Sequence, residues 1–151
     1  MSQQTSEVVI TKSVTVTAPV ERAFRVFTEG IDTWWPRHTH AVDPENAQTV
    51  VMEGREGGRL FERTTSGEEH VWGIVLVWEP PRRLGYSWYP GRGEESAQEV
   101  EITFTPEADG TRVNLRHWGW EKLGDRMEAV VADYDSGWDT VIGQYVEIAN
   151  G

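Results

Sequence analysis

Residues 8–36 read VVITKSVTVTAPVERAFRVFTEGIDTWWP, a stretch that turns from strand to helix at a proline. Val14, Val16 and Ala18 alternate with polar neighbours, and the β-branched run Val8–Thr17 favours an extended chain. Pro19 brings a fixed φ and no N–H, which suits the first turn of a helix. Val20, Phe24 and Phe27, with Ala23 and Val26 beside them, then form an apolar stripe at helical spacing. Trp34-Trp35-Pro36 sets two bulky rings against a helix stop, so one strand leads into a short helical pair.

Beyond that unit the chain reads as strands until its last element. Arg37–Asn46 is a polar loop broken at Asp43-Pro44, and Gln48–Glu53 is a short strand. Gly54–Gly58 is a turn, not a phosphate cradle, because a strand follows where a phosphate-binding loop needs a helix. Arg59–Thr65 and His70–Glu79 pair around Ser66-Gly67-Glu68. Pro80-Pro81 ends that strand, and Arg83–Tyr89, Ala97–Thr105 and Thr111–Trp118 follow. Val100, Ile102 and Phe104 share one face of their strand, while Val113, Leu115 and His117 share one face of the next. Short turns between successive strands imply an antiparallel meander. From Asp125, apolar residues from Met127 through Tyr134, Trp138 and Tyr145 to Ile148 recur at helical steps over about 24 residues. A bent antiparallel sheet with one long helix across it buries that stripe; a barrel alone would leave it exposed.

Composition bounds the function. At 151 residues the chain is expected to be one domain spanning residues 8–151, after a disordered N-terminus at residues 1–7. The net charge of −11, with the basic residues dispersed, argues against nucleic acid and anionic membranes as partners. The absence of cysteine removes disulfides, thiolate catalysis and Cys-ligated zinc. MSQQTSEVV lacks a basic segment followed by an apolar one, so no secretory signal is expected. The longest apolar run, Val71–Trp78, falls well short of the about 20 residues that cross a bilayer. A cytoplasmic location is the expectation. Eight tryptophans are far above ordinary usage, and each is a large rigid ring with a single N–H donor.

The order of elements resembles the α+β helix-grip (START-like) fold of the SRPBCC superfamily. More specifically, the chain is similar to homologues of the activator of heat-shock protein 90 ATPase, in their C-terminal-type domain. The matching residues are Val16-Thr17-Ala18-Pro19 with Ala23-Phe24, Gly57-Gly58-Arg59-Leu60, and Gly73-Ile74-Val75 with Pro80-Pro81-Arg82-Arg83-Leu84. Ser87-Trp88, Phe104 with Gly110-Thr111, and Gly137-Trp138 extend the match from about Val8 to Ala149. The resemblance implies a cavity between sheet and C-terminal helix, and it carries over no catalytic residue. Eukaryotic activators of this family also have a separate chaperone-binding domain, for which this chain has no room, so chaperone activation is not expected.

Within such a cavity Trp72, Trp78, Tyr86, Trp88, His117, Tyr134 and Trp138 are the candidate ligand-binding residues. The same rings could equally be core or dimer contacts, since both faces of Val71–Trp78 are apolar: alternation puts Trp72 and Trp78 with Ile74 and Leu76, opposite Val71, Val75 and Val77. His117 is either a core histidine with both nitrogens paired or a polar group of the pocket, and it is one of two weak catalytic candidates. The other is Glu62, a general base if it points inward and a solvated side chain if it points out. Neighbouring Leu60 and Phe61 are both apolar and do not decide its direction.

His38, His40 and Asp43 are a valid ligand set for zinc or iron, but they lie in a loop without a rigid support; neither metal nor cofactor is expected. The leading expectation is binding of a small, largely apolar or aromatic molecule, entering past the loops Arg37–Asn46 and Pro90–Ser96. One alternative is a non-catalytic interaction, co-chaperone-like or dimerising protein whose exposed tryptophans form the contact face. Another is a cyclase, dehydratase or hydrolase acting on polyketide-like substrates in the same cavity.

Overall fold

A computed structural model of the chain describes residues 8–151, so the terminus at residues 1–7 lies outside the described residues. The first strand, β1, spans Ile10–Val16, and α1 follows at Val20–Thr28. Pro19 sits one place earlier than the sequence suggests: it is the N-cap, and its carbonyl accepts the Ala23 N–H at 2.8 Å. The apolar stripe of α1 turns Ala23, Phe24 and Phe27 inward. A one-turn helix, α2, covers Ile31–Trp34. The Trp34 indole closes the pair by donating to the Val26 carbonyl at 2.8 Å.

Six further strands follow: β2 Ala47–Met52, β3 Arg59–Thr64, β4 Glu69–Glu79, β5 Arg83–Trp88, β6 Gln98–Glu107 and β7 Gly110–Trp118. They form one antiparallel sheet in the order β1-β7-β6-β5-β4-β3-β2, the expected meander with β1 added beside β7. A 3-10 stretch at Trp120–Arg126 then leads into α3, Met127–Asn150, which lies along the concave face. Tyr145 on α3 donates to the Ala23 carbonyl at 2.8 Å, and Lys12 on β1 reaches Asp135 and Asp139 of α3 at 2.9 and 3.0 Å. The result is the α+β helix-grip architecture. No helix of the described residues is long and apolar enough to cross a membrane.

Strict alternation holds in β6 and β7 and fails in β4. The β3–β4 register jumps at Trp72, and the β4–β5 register jumps at Leu76. Each extra residue bends the strand and resets which side chains face in. Trp72 and Val75 therefore both lie in the core, whereas Leu76, expected beside Trp72, is 42% exposed. Gly73 makes the first irregularity possible, because a Cβ there would collide with the Ser87 carbonyl. In α3 the stripe also ends differently: Ala149 is buried and Ile148 faces out.

None of the tryptophans is exposed; six are buried, and Trp78 and Trp118 are half-buried. The contact face of exposed tryptophans anticipated for a dimerising protein is thus not formed by these residues. The other rings fill or line the concave side, whereas Trp118 shares the outer face of β7 with Arg116.

Candidate functional site

Between the concave sheet and the first half of α3 lies a wide-mouthed cleft of about 930 Å³. Its wall is aromatic: Trp35 from the end of α2, Trp72 from β4, Trp88 from β5, and Tyr134 and Trp138 from α3. Trp35 lies 4.9 Å from Trp72 and 6.2 Å from Trp138, and Trp88 lies 5.7 Å from Trp72 and 6.1 Å from Trp138, between ring centroids. The rim is made by Thr39–Val42 on one side and Pro90–Arg92 on the other, the two loops expected to control access.

Indoles beside an open space cannot be held by packing on every side. Here hydrogen bonds hold three of them. Trp35 donates to the His40 carbonyl at 2.7 Å, Trp72 to the Glu62 carboxylate at 2.7 Å, and Trp138 to His117 Nδ1 at 2.9 Å.

Two of these acceptors are the catalytic candidates. Glu62 points inward and is fully buried, because Leu60 takes the core side of β3 while Phe61 lies outward beneath the guanidinium groups of Arg59 and Arg63. Its oxygens accept the backbone N–H groups of Val42 and Asp43 at 2.6 and 2.9 Å as well as the Trp72 indole. Glu62 thus pins one rim loop and one wall ring.

His117 is likewise fully buried and lies behind the wall, not on it. An indole only donates, so Nδ1 is the acceptor and Nε2 carries the proton toward Gln98 Oε1, 3.3 Å away. Burial, aided by the positive charge of Arg92, pushes the His117 pKa down to about 3. The ring is neutral at physiological pH and stacks 4.1 Å from Trp120, which the left-handed Gly119 turns beneath it. Both nitrogens are committed to neighbours.

Of the seven expected ligand-binding residues, the fold brings Trp72, Trp88, Tyr134 and Trp138 together around the cleft. Trp78, Tyr86 and His117 are placed elsewhere. Trp78 packs against Phe24 at 5.2 Å, at the other end of the concave face, because the bulges in β4 separate it from Trp72. Tyr86 lies under Trp88 with 1% exposure, and burial pushes its phenol far above its ordinary range.

Trp35, His40, Arg92, Arg126 and Asp133 also line the cleft; none is among the expected ligand-binding residues, although His40 and Arg92 lie in the two loops expected at its mouth. All but Asp133 sit outside the regular elements, in loops or at helix ends, where no periodicity announces a direction. Asp133 belongs to the polar side of α3, which the cleft leaves open.

His38, His40 and Asp43, chemically suited to a metal but not expected to hold one, do not converge among the described residues. Among the described residues one group of potential metal ligands converges, Asp43, Glu68 and His70, with ligand atoms within 4.8 Å of one another. Glu68 in it is exposed, and His70 Nε2 lies 3.2 Å from Glu68 Oε1 without hydrogen-bond geometry.

The model of the activator of Hsp90 ATPase homolog 1-like family matches residues 17–149. An anthrahydroquino-γ-pyrone synthase, Txn09, is 34% identical, with 85% of this chain and 88% of that one covered and a TM-score of 0.59. The Aha1 dimer from Colwellia psychrerythraea shares the fold at 15% identity, with 95% and 96% of the two chains covered and a TM-score of 0.70. DynU16, from the dynemicin biosynthetic locus, shares it at 20% identity and a TM-score of 0.68, covering 92% of this chain and 46% of that one. No curated protein matches the chain. Sequence pattern, architecture and the matched residues agree: the chain belongs to the family of activator of Hsp90 ATPase homolog 1-like proteins.

Proposed function

We propose that this protein binds a small, largely aromatic molecule in the cleft between the concave sheet and α3. The observation that carries this is the wall itself. Four indoles and a phenol surround a space of about 930 Å³, and three of the indoles are braced by hydrogen bonds that do not depend on anything inside it. Flat apolar walls favour flat apolar ligands, since each Å² removed from water contributes about 25 cal/mol before the costs of association. The activity of the 34% identical synthase and the locus of DynU16 fit a multi-ring aromatic ligand of polyketide type.

Conversion of such a molecule is a second reading, favoured by the synthase likeness. Glu62 and His117 have their polar atoms committed to the scaffold, so acid–base work would fall to His40, Asp133 or Tyr134, which line the cleft.

Native mass spectrometry of the freshly purified protein, followed by identification of whatever denaturation releases, tests the proposal together with tryptophan-fluorescence titrations against polycyclic aromatic compounds. A stoichiometric aromatic molecule or saturable quenching is the expected outcome. The absence of both a co-purified ligand and saturable quenching by any polycyclic compound would refute it. Consumption of the bound compound by the wild type but not by a His40→Ala, Asp133→Asn or Tyr134→Phe variant would establish the second reading.

A further inference from the structure

The tryptophans of the cleft wall differ in one respect. Trp35, Trp72 and Trp138 each have an acceptor within the protein for the indole N–H, whereas the buried Nε1 of Trp88 has none among the described residues. A buried donor without an acceptor loses its hydrogen bond to water with nothing in return, and such groups in folded proteins call for an explanation. Trp88 is 3% exposed and its ring lines the cleft; Nε1 itself is covered, so an acceptor brought by a ligand reaches it by displacing a neighbouring side chain.

Charge adds an independent observation. The chain carries 25 acidic residues against 14 basic ones, and most arginines of the strands are paired with carboxylates. Arg92 and Arg126 both line the cleft, and neither has a carboxylate partner among the described residues. Arg92 makes one weak contact, to Gln98 Oε1 at 3.4 Å, which leaves most of its N–H donors uncommitted. It follows Trp88 by four residues, on the Tyr89-Pro90-Gly91 turn that forms the rim. Its charge is felt inside, since it helps to hold His117 in the neutral form. The single carboxylate on the wall, Asp133, belongs to α3 and disfavours an anion on its own side.

Resting on the binding function above, we propose that the ligand is an aromatic molecule bearing an anionic oxygen, carboxylate or phenolate, received by the Arg92 guanidinium and the Trp88 indole N–H, with Arg126 adding positive charge at the mouth. A guanidinium suits this task because it stays charged, donates in a planar fork and stacks on aromatic faces. The aromatic walls lower the local dielectric, which strengthens the attraction relative to the same pair in water.

Calorimetric titration of the full chain with anthraquinone carboxylate and with its neutral carboxamide tests this. The carboxylate is expected to bind about tenfold more tightly at low salt, and this preference should fall to within about twofold in Arg92→Gln. Arg126→Gln should reduce it by a smaller factor, and Trp88→Phe should weaken the carboxylate while leaving a folded protein by circular dichroism. Affinity of the carboxamide should fall by a smaller factor than that of the carboxylate in Arg92→Gln. Equal binding of the two compounds, or a preference that survives both arginine variants, overturns the anion-receiving role and leaves aromatic binding intact. Failure of both compounds to bind overturns this inference and counts against the binding function beneath it.

Discussion

Under α1 the concave face carries Phe24, Phe27 and Phe104; Phe104 meets both of the others and Phe27 meets Tyr145, with centroids 5.1 to 5.9 Å apart. Under the first half of α3 it carries Trp35, Trp72, Trp88 and Trp138 at similar separations, yet a cleft of about 930 Å³ remains. Aromatic content therefore does not separate a filled end from an open one. Nor does a polar ring atom alone, since Trp34 and Tyr145 at the filled end are hydrogen-bonded too. At the open end Trp35, Trp72 and Trp138 are tied at one edge beside an empty space. Phenylalanine can be positioned only by neighbours on all sides, so a cluster of phenylalanines closes on itself. An indole can be tied at one edge by its N–H and still present a bare face to an empty space. Glu62 and His117, buried and fully engaged, serve the open end in this way.

The largest effect should come from breaking the filled end. Phe27→Ala is expected to cost about 3–5 kcal/mol in urea unfolding, because Trp34, Phe104 and Tyr145 all lose a neighbour. A loss below about 1 kcal/mol would show that this end is not tightly packed.

Glu62→Leu should cost about 2–4 kcal/mol, since it strands the N–H groups of Val42, Asp43 and Trp72. A neutral or stabilising result would contradict the bracing role, and retained ring order at Trp72 by NMR would do the same.

His117 links the open end to pH. Its folded pKa, about 3, lies below the ordinary 6.5, so between those values the unfolded chain binds more protons and acid favours unfolding. The His117 contribution should be complete well above pH 6.5 and fall by about 2 kcal/mol on going to pH 5, above the titration midpoint of ordinary carboxylates. Denaturation curves of His117→Gln should lack that step; an unchanged step would place its origin elsewhere.

The smallest effect sharpens the comparison within the wall itself. Trp88→Phe removes an unpaired donor and should change stability by less than about 1 kcal/mol. Trp138→Phe leaves His117 Nδ1 without its donor and should cost more, by about 1–2 kcal/mol in the same assay. Equal losses would mean that the indole bonds do not brace the wall.

The regular elements were legible because their signals are local. The stripe of Phe24 and Phe27, the alternation through Val100, Ile102 and Phe104, and the helical spacing from Val130 to Tyr145 each predict a face that the fold buries. In β4 the same logic misled: bulges at Trp72 and Leu76 put Val75 inside and sent Trp78 to the filled end. Of the site, the rings on β4, β5 and α3 and the two rim loops follow from the sequence, whereas the inward placement of Trp35 and Arg92 does not, because a loop side chain takes its direction from what it meets across the fold.

Sequence by itself determined the strand–helix–meander–helix order, the acidic surface and the surplus of indoles, all properties of neighbouring residues or of plain composition. Whether Glu62 points in or out, whether His117 lines the cleft or stands behind it, and whether tryptophans fill the concave face or frame a space were decided only by the tertiary structure. These depend on register shifts and on hydrogen bonds between residues 10 and more positions apart, such as Trp72 with Glu62 and Trp138 with His117. No local periodicity encodes such partners, because their meeting is a consequence of how the sheet bends under the helix.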